Sequence, residues 1–320
     1  MTIASRRALL GLLIAAMTAG VGGCRPDFAP FNRVTALRVL GIQAEPPTPL
    51  VGESTTLSAL VFTPTPDPTL TYHWTWCPLS AGSGASYQCL VKESDLTAIV
   101  QGAGLPPLPA FDLGTDPTPT FTNSIDPMVF NFVCNNMLPN LPTRYTIDCS
   151  GGLATQVMLT VTTATDSVTA VQTLKLRPDA TIPANTNPAI TGLNAELGGG
   201  GVFAPVDDTG AVVLPRDVDT TVTVNVDPSA AEVYADASSD TGVSTERLFT
   251  TWFVETGETH DQRTSYIAGS TAFGDMLKNT WKPAPTRDYP NPTAHVFAVL
   301  HDNRGGASWT GGLVTLGTSP

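Results

Sequence analysis

The sequence predicts an all-β protein built as two sandwich domains in tandem, and three observations carry that expectation. Charged residues make up only 14% of the 320 residues, against the ~25% of an average soluble domain. Threonine occurs 46 times and glycine and proline 28 times each; helices tolerate Gly and Pro poorly, whereas β-branched residues suit a pleated, half-buried surface. Short runs of alternating apolar and polar residues also recur twice along the chain in a similar order. With 42% hydrophobic residues there is enough apolar material for two buried cores.

The first segment reads as a leader. Arg6 and Arg7 precede an uncharged apolar stretch over residues 8–21 that ends in Val21-Gly22-Gly23-Cys24. A basic start, a short apolar run and small residues before a cut site are the parts of a secretory signal. The run falls short of the ~20 residues that cross a bilayer as a helix. Ser5-Arg6-Arg7-Ala8-Leu9-Leu10 is also similar to a twin-arginine export motif, which leaves the export route open. Val21-Gly22-Gly23-Cys24 resembles the bacterial lipobox. That resemblance implies removal of residues 1–23 as a lipoprotein signal peptide and acylation of Cys24. Arg25 stands where Asp would retain an enteric lipoprotein at the inner membrane, so the expected location is the outer membrane.

Without residues 1–23 the chain has 28 acids against 14 bases, a net charge of −14. Such a chain repels nucleic-acid phosphates and anionic head groups. Membrane attachment is therefore expected through acyl chains on Cys24, two or more of which anchor stably. Nucleic acid is excluded as a partner.

Residues 24–33 hold Pro26 and Pro30 and no periodic pattern, so they read as a tether. Strands are expected over 34–44, 55–62 and 70–76; in the last, Leu70, Tyr72, Trp74 and Trp76 share one face. A hairpin follows over 156–163 and 168–176. After a Pro-bounded linker over 183–188, strands are expected over 189–195, 220–226 and 248–254, then a closing hairpin over 295–301 and 308–316. The domains are thus 34–182 and 189–318, with few contacts expected at the linker.

The stretch 79–152 interrupts the first domain and is longer than an ordinary sandwich loop. It reads as an insertion with an amphipathic piece over 93–100. Besides Cys24, the chain has Cys77, Cys89, Cys134 and Cys149. An even count in an exported protein reads as two disulfides. Three pairings are possible, and Cys77–Cys89 with Cys134–Cys149 closes the shortest loops. No close Cys/His spacing supports zinc.

Gly52-Glu53 with Leu57, Tyr72-x-Trp74, and the Asp302-x-x-Gly305-Gly306 turn together resemble immunoglobulin-like (polycystic-kidney-disease-like) β-sandwich modules. As a whole, with Trp74-Thr75-Trp76-Cys77-Pro78, the chain resembles Ig-like lipoproteins of predatory and social deltaproteobacteria (the myxobacterial type). The resemblance implies fold and location and brings no catalytic residues.

The catalytic scan is nearly empty. There is no His-Glu-x-x-His, no Gly-x-Ser-x-Gly and no Ser-x-x-Lys. Of the four histidines, His73 lies on the polar face of its strand, and His260 beside Asp261 reads as part of a polar hairpin after Glu255 and Glu258. Asp236-x-Ser238-x-Asp240-x-Gly242 offers alternating oxygens, but Arg247 stands where a calcium loop needs Glu, so it reads as a solvated acidic loop. No metal or cofactor is expected. Trp74 and Trp76 belong either to the core or to an aromatic platform for sugars, and Trp309 is the tryptophan most expected to be exposed. The expected function is a non-catalytic, lipid-anchored cell-envelope protein whose Ig-like modules contact other envelope or extracellular proteins. A surface glycan-binding lipoprotein is the alternative, and a cryptic hydrolase the third reading.

Overall fold

A computed structural model describes residues 30–135, 147, 149, 151–236 and 238–318. The leader, Cys24 and the Pro-rich piece over 139–142 lie outside the described residues.

The first half contains seven strands: β1 (Arg38–Glu45), β2 (Ser54–Phe62), β3 (Thr71–Cys77), β4 (Asp112–Gly114), β5 (Thr120–Thr122), β6 (Leu153–Thr162) and β7 (Ser167–Leu176). They form two sheets, β1-β2-β5 and β4-β3-β6-β7. β6 shows why the sequence folds this way: Leu153, Thr155, Val157, Leu159 and Val161 alternate strictly inward, so one face of the strand is core. Trp74 and Trp76, two residues apart on β3, enter the same core with Leu57, Phe121 and Leu174.

The stretch 79–152 proves to be more than an insertion. It supplies β4 to the edge of β3 and β5 to the edge of β2, so both sheets depend on it. Helix α1 (Glu93–Gly102) buries Leu96 and Val100 in the first core. Helix α2 (Pro127–Cys134) starts on Asp126, whose carboxylate accepts from the Met128 amide at 2.7 Å, and buries Val129, Phe130 and Val133. Three-residue strands such as β4 and β5 are too short to show a period, which is why the sequence read as loop. The disulfides are Cys77–Cys89 and Cys134–Cys149, with Cα separations of 5.7 and 6.0 Å.

The second half repeats the plan with more strands. In order they are β8 (Ile190–Leu197), β9 (Val202–Val206), β10 (Val213–Leu214), β11 (Thr220–Val226), β12 (Val233–Ala235), β13 (Val243–Thr245), β14 (Leu248–Val254), β15 (Glu258–Thr259), β16 (Arg263–Tyr266), a single helical turn α3 (Phe273–Met276), β17 (Lys278–Lys282), β18 (Thr293–Asp302) and β19 (Ala307–Leu316). One sheet runs β15-β17-β11-β8-β9 and the other β10-β19-β18-β14-β16, while β12 and β13 form a separate hairpin. The correspondence is strand for strand: β5 pairs with β2 as β17 pairs with β11, and β4 with β3 as β16 with β14. A parallel contact also recurs ahead of the second main strand: Leu50 bridges Arg177 just beyond β7, as β10 runs parallel to β19. Two packed antiparallel sheets with this order and a core tryptophan on the third main strand (Trp74, Trp252) define an immunoglobulin-like sandwich, here twice.

The halves have separate cores but share a third apolar cluster. Leu40 and Phe62 from the first half meet Phe253 and Val299 from the second, with Val34, Leu60, Phe297 and Trp309 packed around them. Gly41 permits this approach: a Cβ there would stand 3.1 Å from Val299 Cγ1 and 3.4 Å from the Trp309 ring. The expected tether ends earlier than its sequence suggests. Asn32 is buried, and the Val34 amide and the Asn32 carbonyl both bond to Val254 at 2.9 Å.

The linker over 183–188 is densely held, contrary to the expectation. The Asn185 amide donates to Thr48 Oγ1 at 2.9 Å, Asn187 Nδ2 donates to the Ala44 carbonyl at 2.8 Å, and Asn187 Oδ1 accepts from the Ala307 amide at 2.9 Å. Prolines bound this segment, but its asparagines bond to both halves at once, and that geometry is invisible in composition.

Candidate functional site

The most elaborated polar structure lies at the seam, around the β18–β19 turn. Asp302 Oδ1 accepts from the amides of Arg304 at 2.7 Å and Gly306 at 2.8 Å, and Oδ2 accepts from Asn185 Nδ2 at 2.9 Å. This explains the Asp-x-x-Gly-Gly pattern. Gly305 sits at φ 108°, and a Cβ on Gly306 would strike the Asp302 carboxylate.

The turn thereby aims Arg304 between the second half and the linker. Its guanidinium donates to Glu246 Oε1 at 3.1 Å, to Glu232 Oε2 at 3.5 Å, and to the Pro183 and Ala184 carbonyls at 3.0 and 2.6 Å. It also lies over the Tyr234 ring, 4.4 Å from the centroid. The Glu246 side chain is only 1% exposed. Burial, then the charges of Asp302 and Glu232, raise its pKa to about 7 against the pull of Arg304.

Two clefts open beside this cluster. The larger, of about 530 Å³, is lined by Thr48, Lys175 and Ile182 from the first half, Pro183 from the linker, and Tyr234, Asp236 and Asn303 from the second. The smaller, of about 320 Å³, shares Lys175, Asn303 and Arg304 and reaches Gln172 and His301. Gln172 Nε2 donates to the Gly305 carbonyl at 2.9 Å and ties β7 to the turn. Burial lowers the His301 pKa to about 4, so its imidazole is neutral at physiological pH; it stacks on Phe249 at 5.1 Å.

A second cluster joins Glu255, Tyr289 and His295. Tyr289 OH donates to Glu255 Oε1 at 2.8 Å, while the His295 ring Nδ1 and backbone amide reach Oε2 at 2.9 and 3.0 Å. Burial opposes the charge on Glu255, but these bonds together hold its carboxyl below the usual range. Burial first, then the neighbouring carboxylate, pushes Tyr289 up to about 12. Both carboxylate oxygens are engaged internally, which makes this a brace between loop and strand. Sequence reasoning grouped Glu255 with His260 and missed His295, which lies 40 residues away along the chain.

The other candidates are also placed. His73 pairs with Asp112 at 3.3 Å on an exposed edge, and His260 with Asp261 at 3.1 Å on the expected polar hairpin. Asp236 accepts from the Ser238 amide and hydroxyl and from the Ser244 hydroxyl, so the acidic loop engages its own oxygens. Among the described residues no three His, Cys, Asp or Glu side chains converge as metal ligands. Trp74, Trp76, Trp252 and Trp281 are fully buried, and Trp309 packs into the seam cluster, which corrects the expectation that it is exposed. An aromatic platform of tryptophans is therefore absent. Among the described residues no helix is long and apolar enough to cross a membrane.

No family model and no curated protein matches the chain. Solved structures similar to it include a chimeric titin Z1Z2-Z1Z2 tandem, at 9% identity over 88% of this chain and all of that one, with a TM-score of 0.23. Murine CEACAM1b aligns at 10% identity over 88% of this chain and 99% of its own, with a TM-score of 0.22. The D00-D0 domain of Intimin aligns at 8% identity over 89% and 100%, with a TM-score of 0.23. At these scores the alignments carry no argument about role, and the immunoglobulin-like class stands on the sheet orders above.

Proposed function

We propose that the protein is a non-catalytic, lipid-anchored component of the bacterial cell envelope, held at the outer membrane by acyl chains on Cys24. Its two sandwiches act as one body that contacts other envelope or extracellular proteins. The supporting observation is the conjunction of the leader ending in Val21-Gly22-Gly23-Cys24 with two Ig-like sandwiches joined by a packed seam. The clustered ionisable groups support the non-catalytic reading, since Glu246, Glu255, Asp236 and Asp302 all bond internally. Sandwich scaffolds of this kind present their binding residues on loops and exposed strand faces.

The test is Cys24→Ser. The variant should leave the membrane fraction and appear in soluble form, because no other feature described here attaches the chain to lipid. Detergent partitioning equal to that of the wild type would refute the anchor. Crosslinking and pull-down from intact cells, with the acylated protein as bait, should return protein partners. Recovery of the bait alone would refute the interaction role.

A further inference from the structure

The larger seam cleft holds two polar groups with no partner among the described residues. Lys175 on β7 is half-buried in it and has no polar partner among the described residues. Asn303 uses Oδ1 to accept from the Arg247 amide at 2.8 Å, which leaves its Nδ2 without a partner among the described residues. Asp236 lines the same cleft from the second half, and its carboxyl is held below the usual range by the Ser238 hydroxyl, the Ser244 hydroxyl and the Ser238 amide. Ile182, Pro183 and Ala235 add apolar wall. Volume, position at a domain seam and a mixed lining that brings opposite charges to one cleft fit a small-ligand site.

Charge selects the occupant. A simple anion would meet Asp236, and a simple cation would meet Lys175 and Arg304. A ligand with both charges satisfies both sides. We propose that this cleft binds a zwitterionic ligand of the amino-acid or short-peptide class. Lys175 and Asn303 receive its carboxylate, Asp236 receives its ammonium, and Ile182 and Ala235 pack on its apolar side chain. The walls are preorganised. Arg304 is fixed by Glu246, Glu232 and two carbonyls, and Gln172 pins the turn that carries Asn303. Neither the anchor nor a protein partner is needed for this assignment.

The probes are the tripeptide Ala-Leu-Ala, its N-acetylated form, its C-amidated form, and L-leucine, titrated against the folded protein with amide NMR as the readout. The expected result is a saturable shift of the amides of Ala235, Asp236 and Asn303, with Kd on the order of 1 mM. Blocking either end of the tripeptide should weaken binding by about tenfold, the loss of one charge-assisted contact. Lys175→Met should abolish discrimination against the C-amide while keeping that against the N-acetyl form, and Asp236→Asn should do the reverse. The two variants test different ends, so either one that retains the wild-type thermal unfolding suffices. Leucine binding as tightly as the tripeptide supports a free amino acid as ligand, and weaker leucine binding supports a peptide; both sustain the zwitterion site. No saturable shift up to about 20 mM tripeptide, or equal binding of free and blocked peptides, would overturn it.

Discussion

Replacing Arg304 with Met tests the charge cluster beside the linker most directly. The side chain is nearly isosteric along its stem, but the substitution removes four hydrogen bonds and, among the described residues, the only cation bonded to Glu246. Breaking a buried pair by deleting one partner costs about 3–5 kcal/mol, because the other charge remains buried. Here part of that cost is avoidable. Glu246 titrates near 7 in the folded chain against 4.5 as its ordinary value. Its folded form therefore holds the proton more tightly than its unfolded form, and stability rises as pH falls from above 7 toward 4.5, then levels off. A shift of this size corresponds to about 3 kcal/mol across that window. Without Arg304 the two influences that lower the Glu246 pKa disappear, so the dependence should steepen. We expect Arg304→Met to cost about 4 kcal/mol at pH 8 and about 2 at pH 6, measured by urea unfolding. Adding Glu246→Gln should restore much of the loss at pH 8 and little at pH 6. A cost under about 1 kcal/mol at both pH values, or one independent of pH, would refute the account of Arg304 and Glu246 as a buried charge cluster.

Three further outcomes follow from the packing. Trp281 donates its indole N–H to the Thr256 carbonyl at 2.8 Å, while that of Trp76 has no partner among the described residues, so Trp281→Phe should cost at least about 1 kcal/mol more than Trp76→Phe in denaturant unfolding. Val299→Asp should cost about 4 kcal/mol or more by placing an unpaired charge in the seam cluster, and a cost under about 1 kcal/mol would mean the two halves do not pack in solution. Replacing both Cys77 and Cys89 with Ala should lower stability by about 3 kcal/mol, the value for a loop of this size, with no change in the second half's near-ultraviolet tryptophan signal.

The long strands were legible because their alternation is long enough to repeat. The segments 220–226 and 248–254 coincide with β11 and β14, and 168–176 differs from β7 by one residue. β17 was missed although Asn279 and Trp281 alternate inward, because three residues between two lysines resemble a loop. β4, β5 and β10 are shorter still and exist only by pairing with longer neighbours. The seam left one legible trace, the Asp302-x-x-Gly305-Gly306 turn. Its partners Glu232, Glu246 and the 183–187 carbonyls and asparagines lie 58 to 121 residues away, beyond the reach of any periodic signal. Trp309 misled for a related reason. A tryptophan on the outer face of a final hairpin is exposed in an isolated sandwich and covered only when a second one packs there.

β18 has no outside. Ala294, Val296, Ala298 and Leu300 point into the second core, while Phe297 and Val299 point into the seam, so an almost unbroken apolar run serves two interiors at once. Such a strand leaves natural variation little room, since a polar change on either face lands in packed material. It also sets a limit on shuffling. A module cut from the chain after the linker would carry a greasy stripe of Phe253, Phe297, Val299 and Trp309 on its surface, the kind of patch that drives self-association. The two sandwiches share a plan but are no longer interchangeable parts.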